Sequence, residues 1–138
     1  MKMNNMKTIV FVIILSMVLG TLAGCTTGVS GNKTVDVGIV LPTKDEPRWV
    51  QDETRFTEDL KDTNHSVDIL FSQGSSANEK QNVESLITKG IKVLIICPHD
   101  GDGAAAAAEA AKAEGITVIS YDRLITGTKA VDYYVTFE

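Results

Sequence analysis

Five short apolar runs alternate with longer stretches in which apolar residues recur every three or four positions. The runs are 35–41 (VDVGIVL), 67–71 (VDILF), 92–97 (KVLIIC), 116–121 (ITVISY) and 131–137 (VDYYVTF), each of strand length. After the first run, Pro47 suits the opening turn of a helix, where its missing N–H costs little. That helix is predicted to reach about Asp62, with Asp45 or Glu46 at its N-terminus and Trp49, Phe56 and Leu60 on one stripe. Ser76-Ala77-Asn78-Glu79 reads as a capping box, opening a second helix that buries Val83, Leu86 and Ile87 and stops at Gly90. A third helix is predicted over 104–114, with eight alanines, ended by Gly115. Alanine is the best helix former, and a face of small residues lets a helix sit close to a sheet. The third run has five consecutive apolar residues, which predicts burial on both faces, as in a central parallel strand. The first three strand-to-strand intervals are long enough for a helical crossover, and the last is not. The order βαβαβαβ-β predicts an α/β fold, an open parallel sheet with helices on both faces.

Composition narrows the class. The chain has 138 residues, 43% hydrophobic and 22% charged, with 3 prolines against 11 glycines, which excludes wholesale disorder, a collagen-like repeat and a disulfide-dense miniprotein. The N-terminus has a basic head at 1–7, a short apolar core at 8–19 and a small-residue exit at 20–24. That is the plan of a secretory signal, and the apolar core is too short to span the bilayer comfortably as a permanent helix. Setting 1–24 aside leaves 114 residues, enough for one domain and too few for two. Without Lys2 and Lys7 there remain 11 basic residues against 18 acidic, a formal net charge of −7. Such a chain has no obvious phosphate-binding footprint, so nucleic acid is not an expected partner. Leu22-Ala23-Gly24-Cys25 resembles the lipobox of bacterial lipoproteins, which implies lipidation of Cys25, cleavage before it and a lipid anchor in the membrane. Residues 25–34 then form a flexible tether. Cys97 lies in an apolar run and is expected to be a buried structural thiol. With Cys25 lipidated no disulfide framework is possible, His65 and His99 are isolated, and neither metal nor cofactor is expected.

In open α/β sheets, ligands bind beyond the C-terminal ends of the strands. Three loops qualify: 42–49, 98–103 and 122–128. Arg48-Trp49 follows the first strand and Asp122-Arg123 the fourth. Arg offers a fork of donors, Trp a large flat face, and Asp accepts from paired hydroxyls. A sugar needs that combination, because it presents C–H faces to stack and vicinal hydroxyls that give and take hydrogen bonds. The spacing alone equally allows Arg48 as a solvated helix-start residue, Trp49 as core, and Asp122-Arg123 as a surface turn.

Longer stretches carry a resemblance. VGIVLPTKDEPRWVQD at 37–52, NVESLITKGIKVLIICPHDG at 82–101 and EGITVISYDRLITGTKAVDYYVTFE at 114–138 are similar to type I periplasmic sugar-binding proteins of ABC importers, nearest the xylose and multiple-sugar group. The resemblance covers essentially all of 35–138. It implies two α/β lobes joined by a hinge and closing on a sugar. Arg48, Trp49, Asp122 and Arg123 would face the cleft, and a permease with its ATPase would receive the cargo. Asp100 matches an acidic position of the family, although Asp100 and Asp102 are equally placed to cap the alanine helix, the preferred reading. Lys44 and Glu46 lie in the right loop with a weaker claim. Members of the family run on for about as much again or more, so this chain is expected to be the N-terminal lobe, incomplete, supplying one wall of the cleft. Xylose is the first candidate sugar, with arabinose, galactose and glucose behind it.

Other classes compete. Gly101-x-Gly103-x-x-Ala106 loosely matches a dinucleotide fingerprint, with Asp122 about 20 residues on. Against it, Asp100 and Asp102 would press negative charge on a pyrophosphate, and the glycines follow the third strand instead of the first. A sugar-sensing protein serving a membrane receptor would use the same residues as a transport receptor. A LacI-type regulator would need a DNA-binding helix pair before residue 35. Catalysis has no recognisable nucleophile context, so the chain is not expected to be an enzyme.

Overall fold

The computed structural model describes residues 35–137. The signal at 1–24, Cys25 and the tether at 25–34 lie outside the described residues. Among the described residues the chain runs β1 (Val37–Leu41), α1 (Pro47–Leu60), β2 (Val67–Phe71), α2 (Ser76–Thr88), β3 (Val93–Ile96), α3 (Ala105–Ala113), β4 (Thr117–Tyr121) and β5 (Tyr133–Val135). The strands form one sheet in the order β2-β1-β3-β4-β5. Every pairing is parallel, with Ile39 level with Ile69 on one side and Ile95 on the other, and Ile119 level with Tyr133.

Alternation along the strands sorts side chains to two faces. Val40, Leu94, Ile96 and Val118 pack with Val83 and Leu86 of α2 and with the alanines of α3. Ala104, Ala107, Ala108 and Ala111 are buried, an i, i+3, i+4, i+7 stripe that lets α3 lie close to the sheet. On the opposite face Val37, Ile39 and Leu41 pack with Trp49, Phe56 and Leu60 of α1. One helix covers that face and two cover the other. For this reason β1, beneath α1, is the strand buried along its whole length, while Val93 and Ile95 of β3 are only half-buried. The expectation of burial on both faces therefore holds for β3 on the α2/α3 side alone.

The second helix start differs from the capping box read in the sequence. Ser75 is the cap, its hydroxyl accepting from the Asn78 amide at 3.3 Å. Glu79 then falls one position too deep to reach back and is buried instead. Glu46 caps α1 by backbone position only, with Pro47 next. Gly90, at φ +80°, supplies the left-handed turn after α2.

β5 is shorter than predicted and exposed throughout. The chain reaches it from β4 without a helix. Ile125 and Ala130 in the connection are buried in the α2/α3 face, so the loop itself makes the parallel crossover.

Gly38 in β1 faces α2. A Cβ there would sit 2.9 Å from Leu86 Cδ1 and 3.0 Å from Ile91 Cδ1, and both side chains are buried. Gly38→Val should therefore cost about 1–3 kcal/mol by overpacking, read as a lower urea midpoint with an unchanged slope.

Candidate functional site

The cluster of interest forms where α1 begins and β4 ends. Arg48, in the first turn of α1, donates from Nη2 to Asp122 Oδ1 at 2.5 Å, and this bond raises the guanidinium further above its ordinary value. Its guanidinium also lies 4.5 Å from the centre of the Trp49 ring and 5.3 Å from that of Phe137. Arg123 lies 5.3 Å from the same indole and donates from Nη1 to the Pro98 carbonyl at 3.2 Å. Arg48, Trp49, Asp122 and Arg123 thus form one group drawn from the start of α1 and the loop after β4. The side chain of Arg48 is 48% exposed and that of Asp122 15%.

Trp49 is placed otherwise than as an open stacking platform. It is 1% exposed, packed in the α1 face of the core, and its Nε1 has no hydrogen-bond partner. The ring supports the two guanidiniums from beneath.

Asp122 adopts φ +62°, a conformation L side chains rarely take. Its neighbours bracket it. Arg123 N donates to Tyr121 O at 2.7 Å, which makes a γ-turn with a positive-φ centre, the rarer and more strained form. Asp122 N donates to Val135 O at 2.7 Å, and its carbonyl accepts from the Tyr134 hydroxyl at 3.1 Å.

The remaining candidates lie apart. Lys44 pairs with Glu53 at 3.1 Å and stands over the Phe71 ring. Glu46 is exposed at the start of α1. Asp100 Oδ2 accepts from Gly103 N at 2.8 Å and so closes the turn that leads into α3. The helix cap itself is Ala104, without a side-chain bond, and Asp102 accepts from the Thr126 hydroxyl, so neither aspartate is the N-cap of α3. The Asp100 bond also occupies the Gly103 amide that a pyrophosphate would need, which removes the main support for a dinucleotide reading of Gly101-x-Gly103. Cys97 is fully buried, and burial pushes its thiol up to about 12, so it is no nucleophile at neutral pH. Among the described residues no group of three His, Cys, Asp or Glu could hold a metal.

Several residues beside these were not singled out from sequence. Asp52 is 3% exposed and accepts from the Tyr121 hydroxyl at 3.2 Å and from Arg55 Nη1 at 3.3 Å. It sits in the Trp49–Phe56 stripe, where a polar residue was the available signal. Arg48, Asp52, Arg55, Asp122 and Phe137 line an open groove of about 310 Å³. A hollow of about 360 Å³ beside Val35, His65 and Val67 lies away from the cluster.

Glu79 is 1% exposed, and its Oε2 accepts from His99 N at 2.7 Å. Burial raises its carboxyl above the ordinary 4.5. The folded state therefore binds the extra proton, and stability falls as pH rises from 4.5 towards the folded value. Asp36 and Asp132, held low by Lys92 and Lys112, act with opposite sign below 3.8. Glu79→Gln keeps an acceptor for His99 and removes the charge. Its stability relative to the parent should rise from acid to neutral pH in urea titrations, and parallel curves for the two proteins would contradict this.

The chain belongs to the periplasmic binding protein family, whose periplasmic binding protein domain model matches residues 37–138. The parallel sheet and flanking helices are those of its type I fold. Within that family it is 38% identical over 102 residues to the multiple sugar-binding periplasmic receptor ChvE of Rhizobium radiobacter, covering 74% of this chain and 29% of that protein. It is 35% identical, with the same coverage, to the multiple sugar-binding periplasmic protein SbpA of Azospirillum brasilense. A carbohydrate transporter solute binding protein from Chloroflexus aurantiacus, solved in complex with D-glucose, superimposes with TM-score 0.71 at 76% identity, covering 75% of this chain and 30% of that one. The chain spans about three-tenths of the length of these relatives.

Proposed function

We propose that this chain forms one wall of the cleft of an extracytoplasmic solute-binding protein. It captures a monosaccharide for delivery to an ABC permease and its ATPase, and Cys25 carries the lipid that holds it at the outer face of the membrane. The observation that carries the reading is the Arg48–Asp122 pair beside Arg123 at the C-terminal ends of the strands. A carboxylate held against a guanidinium accepts from one sugar hydroxyl while the guanidinium donates to its neighbour, so vicinal hydroxyls match the pair. The sugar-binding and glucose-bound relatives support the same class of ligand. A wall open on one side leaves most of a sugar solvated, whereas small-ligand sites bury ~70–90% of the ligand, so a second wall is part of the proposal. Xylose and glucose are the first candidates, followed by arabinose and galactose.

The test uses the protein as the cell makes it. Antibody against residues 35–138 isolates it from membrane fractions, its size is read on a gel, and calorimetry titrates it with the four sugars. The expected result is a species larger than the 14.9 kDa of this chain that binds at least one sugar saturably. A native protein that binds none of them overturns the proposal.

A further inference from the structure

We propose that Asp52 is a positioning residue for this site, holding, through the hydroxyl of Tyr121, the strained turn that presents Asp122. The role at the ligand rests on the sugar-binding reading above, but the hold on the turn does not.

Asp52 lies one turn of α1 beyond Arg48 and Trp49 and is 3% exposed. A carboxylate there is costly unless hydrogen-bonded, and an apolar residue would suit the Trp49–Phe56 stripe better for packing alone. Its two oxygens are used separately. Oδ1 accepts from Arg55 and Oδ2 from Tyr121 OH, 69 residues away in sequence. Tyr121 is the last residue of β4, and its ring meets Phe56 and Phe137 edge-on, with centroids 5.3 and 5.8 Å away. Burial pushes its phenol up to about 12, so it remains a neutral donor at physiological pH.

The same residue supplies the carbonyl that closes the γ-turn over Asp122. A conformation of this kind persists only where its surroundings over-determine it. Val135 and Tyr134 hold Asp122 from the β5 side, and Arg48 holds its carboxylate. On the β4 side Ser120 Oγ donates to Arg123 O at 2.6 Å, and Tyr121 is the anchor tied to α1, by Asp52. The contact therefore couples the helix carrying Arg48 to the turn carrying Asp122 and fixes the two halves of the ion pair relative to each other.

The test compares Tyr121→Phe, Asp52→Leu and the double variant in the full chain, without ligand, by amide hydrogen exchange. The expected result is exchange about tenfold faster at the Asp122 and Arg123 amides, with the amides of Leu94 and Ile96 unchanged. Parent-like exchange at the turn overturns the proposal. So does a uniform increase at all four amides, which is the signature of lost stability alone. If Tyr121→Phe does not fold, Asp52→Leu decides by the same criteria. In the native receptor, sugar Kd should rise about fivefold in each single variant and no further in the double, because both changes break one chain of contacts. Loosened amides with an unchanged Kd overturn the positioning role. If the parent binds no sugar, the functional proposal fails, and the exchange result still decides whether Asp52 holds the turn.

Discussion

Asp122→Asn in the native protein should, on the proposed sugar-binding function, weaken monosaccharide binding about 100-fold, the equivalent of about 2–3 kcal/mol. The carboxylate is the partner of Arg48 and, in the proposed site, the acceptor for sugar hydroxyls, so the change removes a charge-assisted acceptor. Asn is the informative replacement because it tolerates φ +62° at least as well as Asp, so the turn survives and only the charge is lost. Asp122→Gly makes the complementary test: it relaxes the backbone strain and removes the whole side chain. Both should bind poorly, and both should melt close to the parent, since an ion pair with Arg48 half-exposed contributes little to stability. Calorimetric titration with thermal melts of the same samples reads both quantities. An Asn variant with parental affinity would remove Asp122 from the ligand contacts.

Trp49→Ala should lose about 3–5 kcal/mol of folding stability. The indole is the largest fully buried side chain, and it fills the space under α1 against Val37, Ile39, Leu41 and Cys97. A domain of this size has ~5–15 kcal/mol in total, so the variant sits near the limit of folding. Urea unfolding should show a much lower midpoint with a similar slope. Trp49→Phe keeps an aromatic face for Arg48 and Arg123 and should lose much less. A loss below ~1 kcal/mol for the alanine variant would mean that the α1 face can collapse around the gap.

The sequence carried most of the sheet because strand and helix periods differ so plainly. The run 67–71 matches β2 at both ends, and Pro47 and Gly90 mark helix limits by conformational preference alone. The spacing to Glu79 pointed to Ser76 as the cap, but Glu79 packs inward to meet the His99 amide and Ser75 caps the helix instead. The period-2 signal at 131–137 overstates β5: the residue-for-residue pairing with β4 runs only over Tyr133–Val135, and before it Asp132 is held to Val118 partly by its side chain. At the site, residue types pointed to Arg48, Trp49, Asp122 and Arg123 as candidates, and the fold brings the four together. Local sequence does not encode the pairing of Asp52 with Tyr121, which depends on the tertiary meeting of the first turns of α1 with the end of β4. Nor does it encode whether an aromatic side chain beside an arginine faces a groove or the core.

Trp49 is the only tryptophan in the chain. Its indole N–H has no partner, its surroundings are apolar, and two cations stand near its ring. The unlabelled protein thus carries a built-in optical reporter. Its emission should be blue-shifted and sensitive to any movement of Arg48 or Arg123, so events at the site can be followed in real time without attaching a dye.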